Sequence, residues 1–269
     1  MYFKKLSILI GMFVLSASSF GDSFRFEVGG SIGRTNIDFD FNNSDIDVDT
    51  GQLKGVFHFD RVDTSKRPLS EAAYLVRSNN ISLTRSVIDT EYNLTFDVFK
   101  MDFYLPQAEV YIAPYYANID SEGDDSNDND FGVKLGMTPI DGLRVATTWS
   151  DERDYELNFE AKYVKELGNR QAINVEVAYE KSADDGFEKE DDYLGVGVDF
   201  YLDPSLSFGV AYHSKVSWHQ ALSDGTILSG DDAIGIRGEK FFNNMFSVNA
   251  TYATSDDIDS WAIGVNFHL

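Results

Sequence analysis

Four histidines (His58, His213, His219 and His268), scattered serines and dense runs of aspartate are the residues whose types could do chemistry. A hydrolytic site needs a nucleophile within hydrogen-bond reach of a base. His213 and Ser214 are neighbours, but successive side chains on an extended chain point to opposite faces, so this pair cannot share a proton directly. No His-Glu-x-x-His pair is present to hold a catalytic zinc. Asp45, Asp47 and Asp49 have the first three spacings of a calcium loop. Position six is Thr50, where glycine is needed, and position twelve is Val56, where a bidentate glutamate is needed. The acidic run 124–130 has no closing glutamate either. These acids read as solvated loop residues, and no catalytic residue, resident metal or cofactor is expected.

What remains is a set of charges placed singly inside alternating stretches. The positives are Arg25, Lys54, Lys134, Arg144, Lys162 and Arg237. The negatives are Glu27, Glu109, Glu156, Glu160, Glu176, Glu180, Asp199 and Glu239. Each is expected on the polar face of a period-2 pattern whose other face is apolar. Leu143, Val145 and Trp149 alternate with Arg144, and Ile173, Val175, Val177 and Tyr179 alternate with Glu176 and Glu180. Such segments are strands with two unlike faces.

The elements that carry these charges belong to one chain of 269 residues with a formal net charge of −23, which argues against a nucleic-acid partner. Aromatic content of 14% argues against disorder. Without cysteine there is no disulfide framework, thiolate metal site or lipid-anchored cysteine. Residues 1–21 carry Lys4 and Lys5 ahead of a short apolar run (ILIGMFVL, 8–15) and small residues, the pattern of a cleaved secretory signal peptide. Beyond them no apolar stretch reaches the length of a spanning helix. The domain expected is therefore 22–269.

Alternation predicts about fourteen strands, with twelve or sixteen as alternatives: 24–40, 50–60, 81–88, 91–104, 107–118, 130–138, 143–150, 155–165, 171–180, 192–201, 206–214, 231–240, 245–253 and 259–269. The third is the weakest, because 61–80 mixes turn, possible helix and strand. Parity slips around Gly33–Asn36 and at Val98–Phe99, where β-bulges are expected. Pro114 sits mid-strand and should interrupt the ladder locally. The connectors fall into a short set (TPIDG, ELGNR, LDPS, FFNN) and a longer or acidic set (41–50, 119–130, 181–192, 215–230, 254–258).

Short turns at one end, longer loops at the other, mid-strand charges on one face and aromatics near strand ends on the opposite face predict an all-β, transmembrane antiparallel up-and-down β-barrel. With strands about 4.8 Å apart and tilted about 40°, fourteen of them enclose a backbone radius of roughly 14 Å. The fourteen charges above would line that lumen, with Lys54 facing Glu180 across it. Loop 215–230 holds Trp218, His219, Leu222 and Ile227, more apolar surface than a solvated loop needs. It either folds into the lumen as a constriction or packs on the rim or a neighbouring subunit.

At this point the chain resembles a family. The leader, the fourteen alternating segments and the strand–turn–strand run 131–163 resemble the gammaproteobacterial outer-membrane porin family, of general-diffusion type. The terminal Ala262-x-Gly264-x-x-Phe267-x-Leu269 is similar to the signal read by the barrel-assembly machinery, with Leu where Phe is usual and Ala262 at the polar first position. The resemblance covers 22–269. It implies localisation in the cell outer membrane, contact with outer-membrane lipids and lipopolysaccharide, and passive diffusion of ions and small hydrophilic solutes. The mixed wall and acidic mouth add a mild cation preference. A surface-contact barrel with a filled lumen is the second reading, and a barrel-borne hydrolase the third.

Overall fold

The computed structural model describes residues 22–39, 44–89, 93–121, 128–151, 155–182, 192–214, 232–256 and 258–269. Fourteen antiparallel strands close into one barrel in which each strand pairs with its sequence neighbours and β1 pairs with β14. They are β1 (Ser23–Phe39), β2 (Ser44–Asp63), β3 (Asn80–Asp89), β4 (Leu94–Leu105), β5 (Val110–Ser121), β6 (Asp128–Met137) and β7 (Leu143–Ser150). They continue as β8 (Tyr155–Gly168), β9 (Gln171–Ser182), β10 (Asp192–Asp203), β11 (Leu206–Ser214), β12 (Ala233–Asn243), β13 (Phe246–Thr254) and β14 (Ile258–His268). The expected architecture and strand number are those observed. The leader 1–21 and loop 215–230, with its four apolar or aromatic candidates, lie outside the described residues.

The outer face is apolar because nothing but lipid can cover it. Ile32, Leu83, Leu135, Val145, Val210, Ile236 and Ile263 are all exposed there. Near the long-loop end stand Tyr116, Phe131, Trp149, Tyr252 and Trp261, each more than 40% exposed. Near the short-turn end the rings pack in series: Phe26 against Phe57 (5.0 Å), Phe57 edge-on to Phe59 (5.9 Å), and Phe246 against Phe242 (5.6 Å) and Phe267 (5.1 Å). Two aromatic girdles bounding an apolar band are what the two membrane interfaces select.

Three local expectations are corrected. The ladder runs unbroken through Gly33–Asn36 and through Val98–Phe99, and the register shift lies instead between Phe24 and Phe26. That bulge turns Phe24 inward, where it stacks on His268 at 4.4 Å. With no bulge in β4, Phe96 stays on the inward face of Lys100 and Asp102, and it packs with Leu94 and Ile37 on buried Val48 and Ile88. The strands outrun the membrane: 17 residues at about 3.4 Å, even tilted, exceed an apolar band about 25 Å tall. Beyond the band the outer face turns polar, and Arg34 pairs with Asp49 (2.7 Å) and Arg85 with Asp97 (2.5 Å). Residues 44–50, expected in a loop, extend β2, so two of the supposed calcium-loop acids, Asp47 and Asp49, are partners of Arg34. At Pro114, Met101 and Asp102 drop out of the β4–β5 ladder while the register on either side holds, as expected.

Candidate functional site

The connection 64–79 between β2 and β3 breaks the rule of short turns at its end of the barrel. Its middle forms a 3-10 turn (Leu69–Glu71) that runs into one helical turn, α1 (Ala72–Leu75). Leu69, Glu71 and Ala72 are buried although the segment bridges two strands at a barrel rim. Burial comes from entering the lumen. On one side Ala72 packs on Phe24 and Val62. On the other, the Tyr74 hydroxyl donates to the carbonyls of Lys162 (2.7 Å) and Gly142 (3.1 Å), and Arg77 reaches Asp141 (3.3 Å). A third anchor is β10 and the turn that follows it, where the Tyr201 hydroxyl donates to Glu71 (2.8 Å) and the Leu69 N–H donates to the Pro204 carbonyl (2.8 Å).

The wall charges meet this plug and one another. Lys162 lies 2.9 Å from Glu71 and 3.0 Å from Glu176. Arg237 continues the chain to Glu176 (3.2 Å) and Asp199 (2.5 Å). On the next strands Glu160 joins Lys134 (2.5 Å) and Arg144 (3.2 Å). Arg144 also lies over the Tyr111 ring at 4.5 Å, and Tyr104 accepts its Nη1–H at 3.1 Å. Buried Tyr104, Tyr111, Ala113 and Ala146 complete that side, so tyrosines and paired charges fill the β4–β8 half.

The other half stays open. A cavity of about 330 Å³ lies against the plug. Lys54, Gln52, Asn174, Glu176, Asp199, Arg237, Glu239, Asn249 and Asn266 line it from the wall, and Ser70, Glu71 and Tyr201 close it. Four acids and two bases face this water-accessible space, and apart from Ala262 the remaining lining is amide, hydroxyl or glycine.

The fourteen predicted lumen residues are therefore sorted. Glu27, Lys54, Lys134, Arg144, Glu160, Lys162, Glu176, Asp199, Arg237 and Glu239 share the inward faces, and Glu180 follows Glu176 in the same parity on β9. Arg25 is exposed at the β1 bulge, where its N–H donates to the Leu269 carbonyl. Glu109 is exposed in the β4–β5 turn with φ +53°, off the wall. The Glu156 side chain lies outside what the structure describes. Lys54 shares its cavity with Glu71 and Glu176, and Glu180 does not line it. Sequence reasoning missed Glu71, Ser70 and Tyr74. The signal was present as mixed turn and helix character in 61–80, with an acid and a tyrosine inside an otherwise short-turn end.

Two arrangements invite a hydrolase reading. Gly29, Ser31 and Gly33 spell Gly-x-Ser-x-Gly, but they lie inside β1, whereas a nucleophile elbow requires a sharp strand-to-helix turn. His58 contacts Ser78 (2.8 Å) through Nδ1 and Glu27 (2.7 Å) through Nε2. His58 and Ser78 are 1% and 7% exposed, so a substrate carbonyl has no path to the serine oxygen. The row ties the end of the plug to β1 and β2. His213 and Ser214 diverge as expected, towards the Tyr193 hydroxyl (2.7 Å) and the Leu194 N–H (3.1 Å).

No protein-family model and no curated protein matches the chain. Among solved structures, the outer membrane protein Omp33 of Acinetobacter baumannii is similar, with TM-score 0.70 and 22% identity, over 93% of this chain and 100% of that one. OpdQ of Pseudomonas aeruginosa gives TM-score 0.47 and 8% identity over 92% and 97% of the two chains, too distant to carry an argument. The chain shares the fold of that outer membrane protein.

Proposed function

We propose that this barrel is an outer-membrane channel through which ions and small hydrophilic solutes diffuse passively, made after removal of residues 1–21. The observation that carries the reading is the polar cavity of about 330 Å³ kept open between the plug and the wall formed by β9–β14, β1 and β2, inside a barrel whose outer belt suits lipid. A barrel built only for rigidity gains nothing from leaving charged side chains around empty space. The cavity lining has a small acidic excess, with Glu71, Glu176, Asp199 and Glu239 against Lys54, Arg237 and the Lys162 that pairs with Glu71 and Glu176. The formal charge of −23 adds a cation excess at the mouth, screened over about 8 Å at physiological salt. Arg34 and Arg85 stand on the outer face above the apolar band, where lipopolysaccharide phosphates would meet them.

The plug favours one alternative, a surface-contact barrel whose lumen is closed. Planar-bilayer recording in KCl separates the two. Discrete steps with a mildly cation-selective reversal potential, fading as salt rises, support the channel. Neutralising the acids of 119–130 should reduce the preference. Absence of steps, or anion selectivity, rejects it.

A further inference from the structure

Within the cavity most charges are already compensated. Glu71 has Lys162, and Glu176 and Asp199 have Arg237. Two are not. Lys54 makes no ion pair among the described residues and feels Glu27 only through space, and Glu239 is held only by neutral donors, Ser247 (2.7 Å) and Asn266 (3.4 Å). They stand on β2 and β12, separated by β1, β14 and β13. Four strand spacings place their backbones about 19 Å apart along the wall. Both side chains reach inward on a concave surface, which brings their charged ends to within roughly 10 Å. The wall between them carries no charge: Gly29, Asn266 and Ser247 follow Lys54 along one row of the ladder, and Ser31, Gly264 and Asn249 lead to Glu239 along the adjacent row.

We propose that this cavity is a binding site for small zwitterions, the α-amino acids being the simplest, with the solute carboxylate on Lys54 and its ammonium on Glu239. The proposal rests on the channel reading for its use in permeation, but the site itself does not require conduction. An inorganic ion satisfies one charge and leaves the other without a partner. A zwitterion satisfies both, and its internal charge separation with a hydrogen bond of about 2.8 Å at each end spans the gap. The volume lies at the lower end of the range for small-molecule pockets.

The test uses four matched probes: L-alanine, propionate, isopropylamine and lactamide. Binding to the detergent-solubilised full barrel is read by saturation-transfer NMR, and current block by single-channel recording. Alanine should bind about tenfold more tightly than each of the other three, the worth of one charged hydrogen bond. Lys54→Met and Glu239→Gln should each lose about tenfold for alanine, and the exchange Lys54→Glu with Glu239→Lys should recover it. Arg85→Gln, on the outer face, serves as the control and should bind as the unaltered protein does. Equal binding of the four probes, or alanine binding indifferent to both single changes, overturns the site. If conductance is present but alanine is not preferred, the channel stands and the site falls. If alanine binds without any conductance, the channel reading falls and the site stands.

Discussion

Arg237 on β12 and Asp199 on β10 are joined at 2.5 Å across an intervening strand, and the residue beneath the crossing is Gly209. A Cβ at that position would collide with the Asp199 carboxylate. Charge pairing in this lumen therefore depends on glycine as much as on the charges. Gly197 plays the same part where Arg237 passes on to Glu176, with an added Cβ 3.3 Å from the guanidinium.

Gly209→Val should break the Arg237–Asp199 contact while keeping both charges. The expected cost is about 2 kcal/mol, that of a charge-assisted hydrogen bond. It should appear as a lowered urea midpoint for barrels folded in lipid, with an unchanged slope. An unchanged midpoint would show that Asp199 finds another donor.

The plug should control how wide the passage is. Replacing 69–75 with a Gly-Ser linker removes the anchors on β8 and β10 and should raise single-channel conductance severalfold. Tyr74→Phe deletes only the hydroxyl that bonds the Lys162 and Gly142 carbonyls. It should cost about 1 kcal/mol and raise the frequency of transient high-conductance openings. Unaltered current in both variants would mean that the passage avoids the plug.

Orientation follows from the connectors. The five short turns share their end of the barrel with 64–79, and the long acidic connections lie at the other. An epitope inserted at position 126, between β5 and β6, should be labelled on intact cells. Labelling that requires rupture of the outer membrane reverses the assignment.

Closure depends on the chain end. The Leu269 carbonyl accepts from the N–H groups of both Arg25 and Phe26, its own N–H donates to the Phe26 carbonyl, and Phe267 packs against Phe246. Deleting 267–269 removes these contacts and, by the resemblance of 262–269 to an assembly signal, its recognition. The truncated chain should accumulate in the periplasm and be degraded. Normal outer-membrane levels would reject that role for Phe267 and Leu269.

By itself the sequence determined the architecture, because a strand facing lipid on one side and water on the other must alternate. Leu143 to Trp149 or Ile173 to Glu180 state that requirement residue by residue. Strand number followed from the same pattern, as did the inward parity of Lys54, Lys134, Arg144, Glu160, Lys162, Glu176, Asp199, Arg237 and Glu239. Parity says which face a side chain takes, not what it meets there. Leu94 and Phe96 read as lipid-facing because they are apolar, but an interior layer accepts apolar residues too, and only the unbroken β3–β4 register decides between them. The partners of Lys162 were equally hidden. Glu176 lies beside it in the ladder, whereas Glu71 is 91 residues away along the chain and reaches it only because 64–79 folds back through the barrel. Contacts made across a closed barrel leave no period in the sequence, and so the plug, the filled half and the open cavity belong to the tertiary structure alone.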